Sequence, residues 1–135
     1  MNLTFSPETE IFRAKVRQFF ETEFPADIIA KNRAGKAPTT EDVRRSEMAL
    51  GAKGWLASAW PEEYGGPGWS VEAQYVFDEE LERAGVPTVT PMGVVYVGPV
   101  LYTFASEDQK AKWLPGIRDG SVGWAQGYSE PGSGS

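Results

Sequence analysis

At 135 residues, with 41% hydrophobic and 24% charged side chains, the chain has the size and composition of one globular domain, and not of a disordered, collagenous or membrane-embedded protein. A formal net charge of -6 argues against a surface built to neutralise phosphates, so neither nucleic acid nor an anionic membrane is an expected partner. His and Cys are both absent, which removes imidazole bases, thiolate nucleophiles, Cys/His zinc sites and disulfides; carboxylate, Lys and Tyr remain as acids and bases, and redox chemistry would need an imported cofactor.

Ser6 is placed to cap a helix that opens at Pro7, with Glu8 and Glu10 at the positive end of its dipole. Phe12, Val16, Phe19 and Phe20 then recur at helical spacing as a core stripe until Pro25 stops the run. Thr39 or Thr40, followed by Glu41 and Asp42, opens a second long helix with Val43, Leu50 and the later Trp55 as apolar contacts, ending at residues 51–54. Residues 60–69, with Pro61, Gly65, Gly66, Pro67 and Gly68, form a loop in which Trp60 and Tyr64 pack locally. Ser70 caps the next helix, in which Val71, Val76, Phe77, Leu81 and Ala84 are apolar and Gly85 with Pro87 provides the stop. Its carboxylates Asp78, Glu79, Glu80 and Glu82 read as a solvated acidic face, because consecutive helical residues diverge around the axis instead of converging on one metal ion.

Residues 86–106 carry no charge and raise the question of a membrane span. Pro87, Pro91 and Pro99 interrupt them, and the dense apolar part, residues 92–104, would span only about 20 Å as a helix against a hydrocarbon core of roughly 30 Å. The pattern predicts a buried helix instead, begun at Pro91 and kinked at Pro99. Ser106 and Gln109 form an S-x-x-Q capping box for a short helix through Lys110, Trp113 and Leu114. The N-terminus shows no leader pattern, and a cytoplasmic protein is the simplest expectation. Residues 122–129, where Trp124 and Tyr128 sit among small or polar neighbours, read as a strand; a lone strand is marginal in water, so its pairing partners are expected outside these residues. By composition alone, residues 130–135 are a flexible linker or an exposed turn.

The run Gly127-Tyr128-Ser129-Glu130-Pro131-Gly132-Ser133-Gly134-Ser135 resembles the flavin-loop signature of the acyl-CoA dehydrogenase family, in which a strand ends in Thr or Ser followed by Glu-Pro-Gly-x-Gly-Ser. The similarity continues backwards in order through Trp113-Leu114-Pro115 with Gly120, the Ser106 to Lys110 box, Glu79-Glu80-Leu81 with Gly85, and the Trp60-Pro61-Glu62-Glu63-Tyr64-Gly65-Gly66 loop. The resemblance implies an all-α fold, the N-terminal helical domain of that family, over residues 1–121. Residues 122–135 would then be the first strand and flavin loop of a middle β-domain that continues outside this chain.

The same resemblance implies an FAD-dependent enzyme that oxidises an acyl-CoA to a trans-2-enoyl-CoA, assembles as a homo- or hetero-oligomer and passes electrons to an electron-transfer flavoprotein. Backbone groups of Gln126 and Tyr128 and the backbone or hydroxyl of Ser129 would meet the isoalloxazine ring, and Ser135 would bind the acyl-CoA near the FAD pyrophosphate. Gly132 and Gly134 permit the unusual dihedrals and close backbone approach that such a cradle needs. The helix of residues 91–104, through Gly93 and Val97, would help to wall the acyl-chain cavity, although a plain core helix would be equally apolar. The family's catalytic base is a Glu of the C-terminal helical domain, outside this chain. Glu130, in a Pro-Gly turn, suits local backbone hydrogen bonding better than proton abstraction, so no catalytic residue is expected here and no metal ligand. An acyl-CoA oxidase or flavin monooxygenase of the same fold, and a stand-alone non-catalytic helical binding or assembly module, are the alternatives.

Overall fold

The computed structural model describes residues 4–134. Its regular elements are α1 (Pro7–Thr22), α2 (Ala26–Arg33), α3 (Thr40–Ala52), α4 (Val71–Ala84), α5 (Gly98–Phe104) and α6 (Glu107–Arg118), with a 3-10 turn at Glu62–Tyr64 and a π-helical stretch, Met92–Val97, running directly into α5. The fold is all-α, and among the described residues there is no strand.

Helix starts follow local side-chain chemistry. The hydroxyls of Ser6 and Ser70 accept the N–H groups of Thr9 and Ala73, while Thr39 with Asp42 and Ser106 with Gln109 form reciprocal capping boxes. Pro25 does more than stop α1, because its carbonyl accepts from Ile28 at 3.1 Å and opens α2. A proline has no N–H to satisfy and a φ already suited to a helix entry, so one residue ends one helix and begins the next.

The main core joins Val16, Phe19 and Phe20 of α1 to Phe24, Ile28, Leu50, Trp55, Phe77 and Leu81. Its rings meet edge to face, Phe19 on Trp55 at 4.9 Å and Trp55 on Phe77 at 5.8 Å, contacts worth about 0.5–1.5 kcal/mol each beyond their buried area. A second, smaller cluster of Ala57, Trp60, Leu114 and Ile117 gathers Tyr64, Val94, Val97, Leu101, Tyr102 and Trp124 around it. Trp60 and Tyr64 are thus packing residues, with Tyr64 stacked on Tyr102 at 4.8 Å.

Glu80 departs from the expected solvated acidic face. Asp78, Glu79 and Glu82 are exposed, whereas Glu80 is only 2% exposed. Arg17 donates to both of its carboxylate oxygens, at 3.0 and 2.7 Å, and Arg13 to one at 3.1 Å, so α1 supplies the charge that lets a carboxylate of α4 enter the core. The hydrogen bonds from Arg17 hold the Glu80 carboxyl below its ordinary value, and Lys31 with Thr39 does the same for Asp42. Both carboxyls are depressed in the folded state, so their contribution is complete above the unfolded value of about 4 and is lost progressively as pH falls from there through the lower folded values.

Two outcomes follow for urea unfolding. The midpoint should fall steeply below about pH 4, with a shallower acid limb in Glu80→Gln. At neutral pH that variant should cost about 3 kcal/mol, the lower end for breaking a buried pair because Arg17 keeps part of its hydration. An unchanged neutral midpoint would show that Glu80 does not tie α1 to α4.

Candidate functional site: an apolar groove beside a glycine turn

The helix expected to be buried at residues 91–104 is not. Val95, Tyr96, Val100 and Phe104 face outwards, Val100 at 58% and Phe104 at 81% exposure. The second cluster offers this element partners on one side only, and its apolar residues continue around to the other. The expected kink at Pro99 takes a different form: Pro99 sits in the first turn of α5, and the chain before it widens into a π-helix.

The outward face forms one wall of a groove of about 680 Å³, with Met92, Tyr96, Val97, Val100 and Leu101 on the helix and Trp124, Ala125 and Gln126 opposite. That volume is in the range of small-molecule sites, and the lining is mostly apolar, as such sites are. Trp124 is held in place by an edge-to-face contact with Trp113 at 5.6 Å. Its indole N–H is buried and has no hydrogen-bond partner among the described residues.

Residues 122–129 form no strand. The Val122 N–H donates to the Gly116 carbonyl at 3.0 Å, and from there to Ser129 no backbone group is paired with another described residue. The physical cause is simple, since strand geometry is held by ladder bonds to a neighbour. Order returns at Glu130, whose N–H and carbonyl exchange bonds of 2.7 and 2.9 Å with Ser133 across Pro131 and Gly132. Pro at the second position and Gly at the third, with φ +90, are the residues of a type II turn. Gly134, also at positive φ, lies so close to Ser129 that a Cβ would strike its hydroxyl, so the turn folds back onto the end of the unpaired segment.

The structure thus brings two of the expected residues, Val97 and Gln126, into one groove. Tyr128, Ser129, Gly132 and Gly134 follow on as an exposed run leading away from it, and Ser135 lies outside the described residues. Gly93 stands behind the groove, against Ile117 and Trp124, and lines a separate cavity of about 210 Å³. Tyr96, Val100 and Leu101 belong to the site with no sequence signal beyond the charge-free run of residues 86–106, and Trp124, which the sequence marks only as a strand residue, joins them. Among the described residues no group of His, Cys, Asp and Glu is placed to hold a metal ion, and no helix is long and apolar enough to cross a membrane.

Comparison with known proteins agrees with this architecture. The sequence model of the family "Acyl-CoA dehydrogenase, N-terminal domain" matches residues 6–121. Acyl-CoA dehydrogenase IpdE1 of Mycobacterium tuberculosis is 37% identical over 133 residues, 95% of this chain and 34% of its own length. Acyl-CoA dehydrogenase FadE26 of the same organism is 32% identical over 137 residues, covering all of this chain and 34% of the relative. Among solved structures, the Tcur3481-Tcur3483 steroid ACAD G363A variant superposes with a TM-score of 0.77 at 41% identity, over 94% of this chain and 33% of that one. The ChsE4-ChsE5 complex from Mycobacterium tuberculosis gives 0.75 at 33% identity, over 99% and 33%.

The chain therefore belongs to the acyl-CoA dehydrogenase family. What it carries is that family's N-terminal helical domain, and it spans about a third of the length of the relatives it matches.

An apolar dye such as anilinonaphthalene sulfonate should bind this groove. Val100→Lys, at a position already open to water, should weaken that binding several-fold while moving the unfolding free energy by no more than about 0.5 kcal/mol. Unaltered dye affinity would place the apolar site elsewhere.

Proposed function

We propose that the chain is the N-terminal part of an FAD-dependent acyl-CoA dehydrogenase that oxidises an acyl-CoA to a trans-2-enoyl-CoA, with the catalytic base in polypeptide outside these 135 residues. One observation carries this reading above the family match. The apolar groove opens beside Gln126, at the start of a run of unpaired backbone groups that ends in a glycine turn. An acyl chain needs the first feature, and a flavin nucleotide can use the second.

In this reading Val97, Val100, Leu101 and Tyr96 take the acyl chain out of water, each buried apolar Å² contributing about 25 cal/mol. The backbone of Gln126 and Tyr128 and the backbone or hydroxyl of Ser129 hold one edge of the isoalloxazine ring. Gly132 and Gly134 let the chain approach the phosphate-bearing part closely, and Ser135 contacts the acyl-CoA. The residues present fit one edge of a flavin site, since their donors and acceptors are unpaired and exposed. When bound, FAD would supply the hydride acceptor that amino-acid side chains do not provide.

The groove is open enough for a bulky acyl group, and 41% identity to a steroid ACAD supports a steroid-bearing thioester. Similarity to the ChsE4-ChsE5 complex supports work in a homo- or hetero-oligomer, which would pass its electrons to an electron-transfer flavoprotein.

Anaerobic titration of the full-length protein with a panel of acyl-CoA thioesters tests this. The oxidised flavin band should bleach with its substrate, while residues 1–135 alone should retain no stoichiometric flavin. A full-length protein free of flavin, or one bleached by no thioester, would contradict the proposal.

A further inference from the structure

The groove wall contains an irregularity with an identifiable keeper. The Gly98 N–H donates to the Gly93 carbonyl, five residues back, instead of to Val94 as in an α-helix. The Val94 carbonyl has therefore lost its α-helical donor, and its π-helical donor would be residue 99, a proline without an N–H. A side chain from another part of the molecule fills the gap: the indole N–H of Trp60 donates to the Val94 carbonyl at 2.7 Å. Trp60 is buried and lies against buried Gly98, where any Cβ would strike its six-membered ring. Tyr102 meets Trp60 edge to face at 5.7 Å and so backs it from α5.

The consequence falls on the groove. Its helical wall uses residues 92, 96, 97, 100 and 101, which at about 100° per residue would spread over about half the circumference of a regular α-helix. The extra residue taken up by the π-helical turn brings them onto one face. We propose that Trp60 is a positioning residue that sets the acyl selectivity of the groove, by holding open the π-helical turn through the carbonyl that Pro99 cannot serve. It does not line the groove; its effect passes through Val94. This inference rests on the groove being the acyl site.

Phe at position 60 keeps a ring and removes the donor, whereas Ala at position 99 leaves Trp60 in place and restores an N–H that lets the segment close into a regular helix. In the full-length flavoprotein, Trp60→Phe should change the ratio of kcat/KM between a straight-chain and a ring-bearing acyl-CoA by about fivefold, the worth of one hydrogen bond, and the change should lie in KM with flavin content unaltered. Pro99→Ala should shift the ratio in the same sense. The double variant should recover thermal stability relative to Trp60→Phe without recovering the native ratio.

A ratio within about twofold of the parent in both single variants, with only the melting temperature lowered, would overturn the proposal and leave Trp60 a plain core residue. Apolar-dye affinity of the same variants gives a reading independent of turnover. It should shift several-fold, and an unchanged value overturns the role of Trp60 even if the parent turns over no thioester, a result that would separately sink the dehydrogenase reading.

Discussion

The carboxylate of Glu80, buried between Arg13 and Arg17, fixes how α1 lies along α4, and the rest of the domain is arranged on that pair. Burying a charge in this way adds little net stability, since desolvation offsets most of the attraction; its value is in register, because only one alignment of the two helices satisfies all the donors. The energy comes from the rings around it, Phe19, Phe20, Trp55 and Phe77, which pack edge to face in the space the clamp defines. Trp55 begins the chain segment that reaches Trp60, so the main core also places the second cluster, on which α5 and α6 rest.

That second cluster satisfies one side of residues 92–104 and leaves the other open. A helix with apolar residues on both sides but partners on one is incomplete, and so is a segment with polar backbone groups and no ladder. Here the two lie together, meeting at Trp124, Ala125 and Gln126. The exposed apolar area and the unpaired backbone thus describe one face of the domain that other matter is needed to cover. An acyl chain and a flavin, with the polypeptide that holds them, have the required apolar and hydrogen-bonding characters.

Much of the fold was legible in the sequence because helix caps are local. Ser6, Thr39, Ser70 and Ser106 cap their helices as hydroxyl residues at those positions should, two of them with the reciprocal partners Asp42 and Gln109, and the prolines and glycines between them mark the ends. What was hidden depends on distant residues. Glu80 looks solvated on its own helix, and the hydrogen bonds that bring it inside come from arginines more than sixty residues earlier. The helix α2 follows a proline that reads as a stop, and its eight residues are too few to show a helical period. The outward face of residues 92–104 and the bare segment 122–129 share a cause: an apolar run and a strand-like composition report a wish for partners and say nothing of whether one is within reach. The glycine turn was visible because Pro-Gly sets dihedrals locally, while the groove it adjoins was not, since its opposite walls meet only in three dimensions.

Amide hydrogen exchange across residues 123–129 tests most directly whether this face is half of a site completed elsewhere. In residues 1–135 alone those amides should exchange at nearly the rate of an unstructured chain, and in the full-length protein with FAD they should slow by at least about a hundredfold, as ladder and cofactor bonds form. Equally fast exchange in both would contradict the account, for it would leave the segment a tail with nothing to pair.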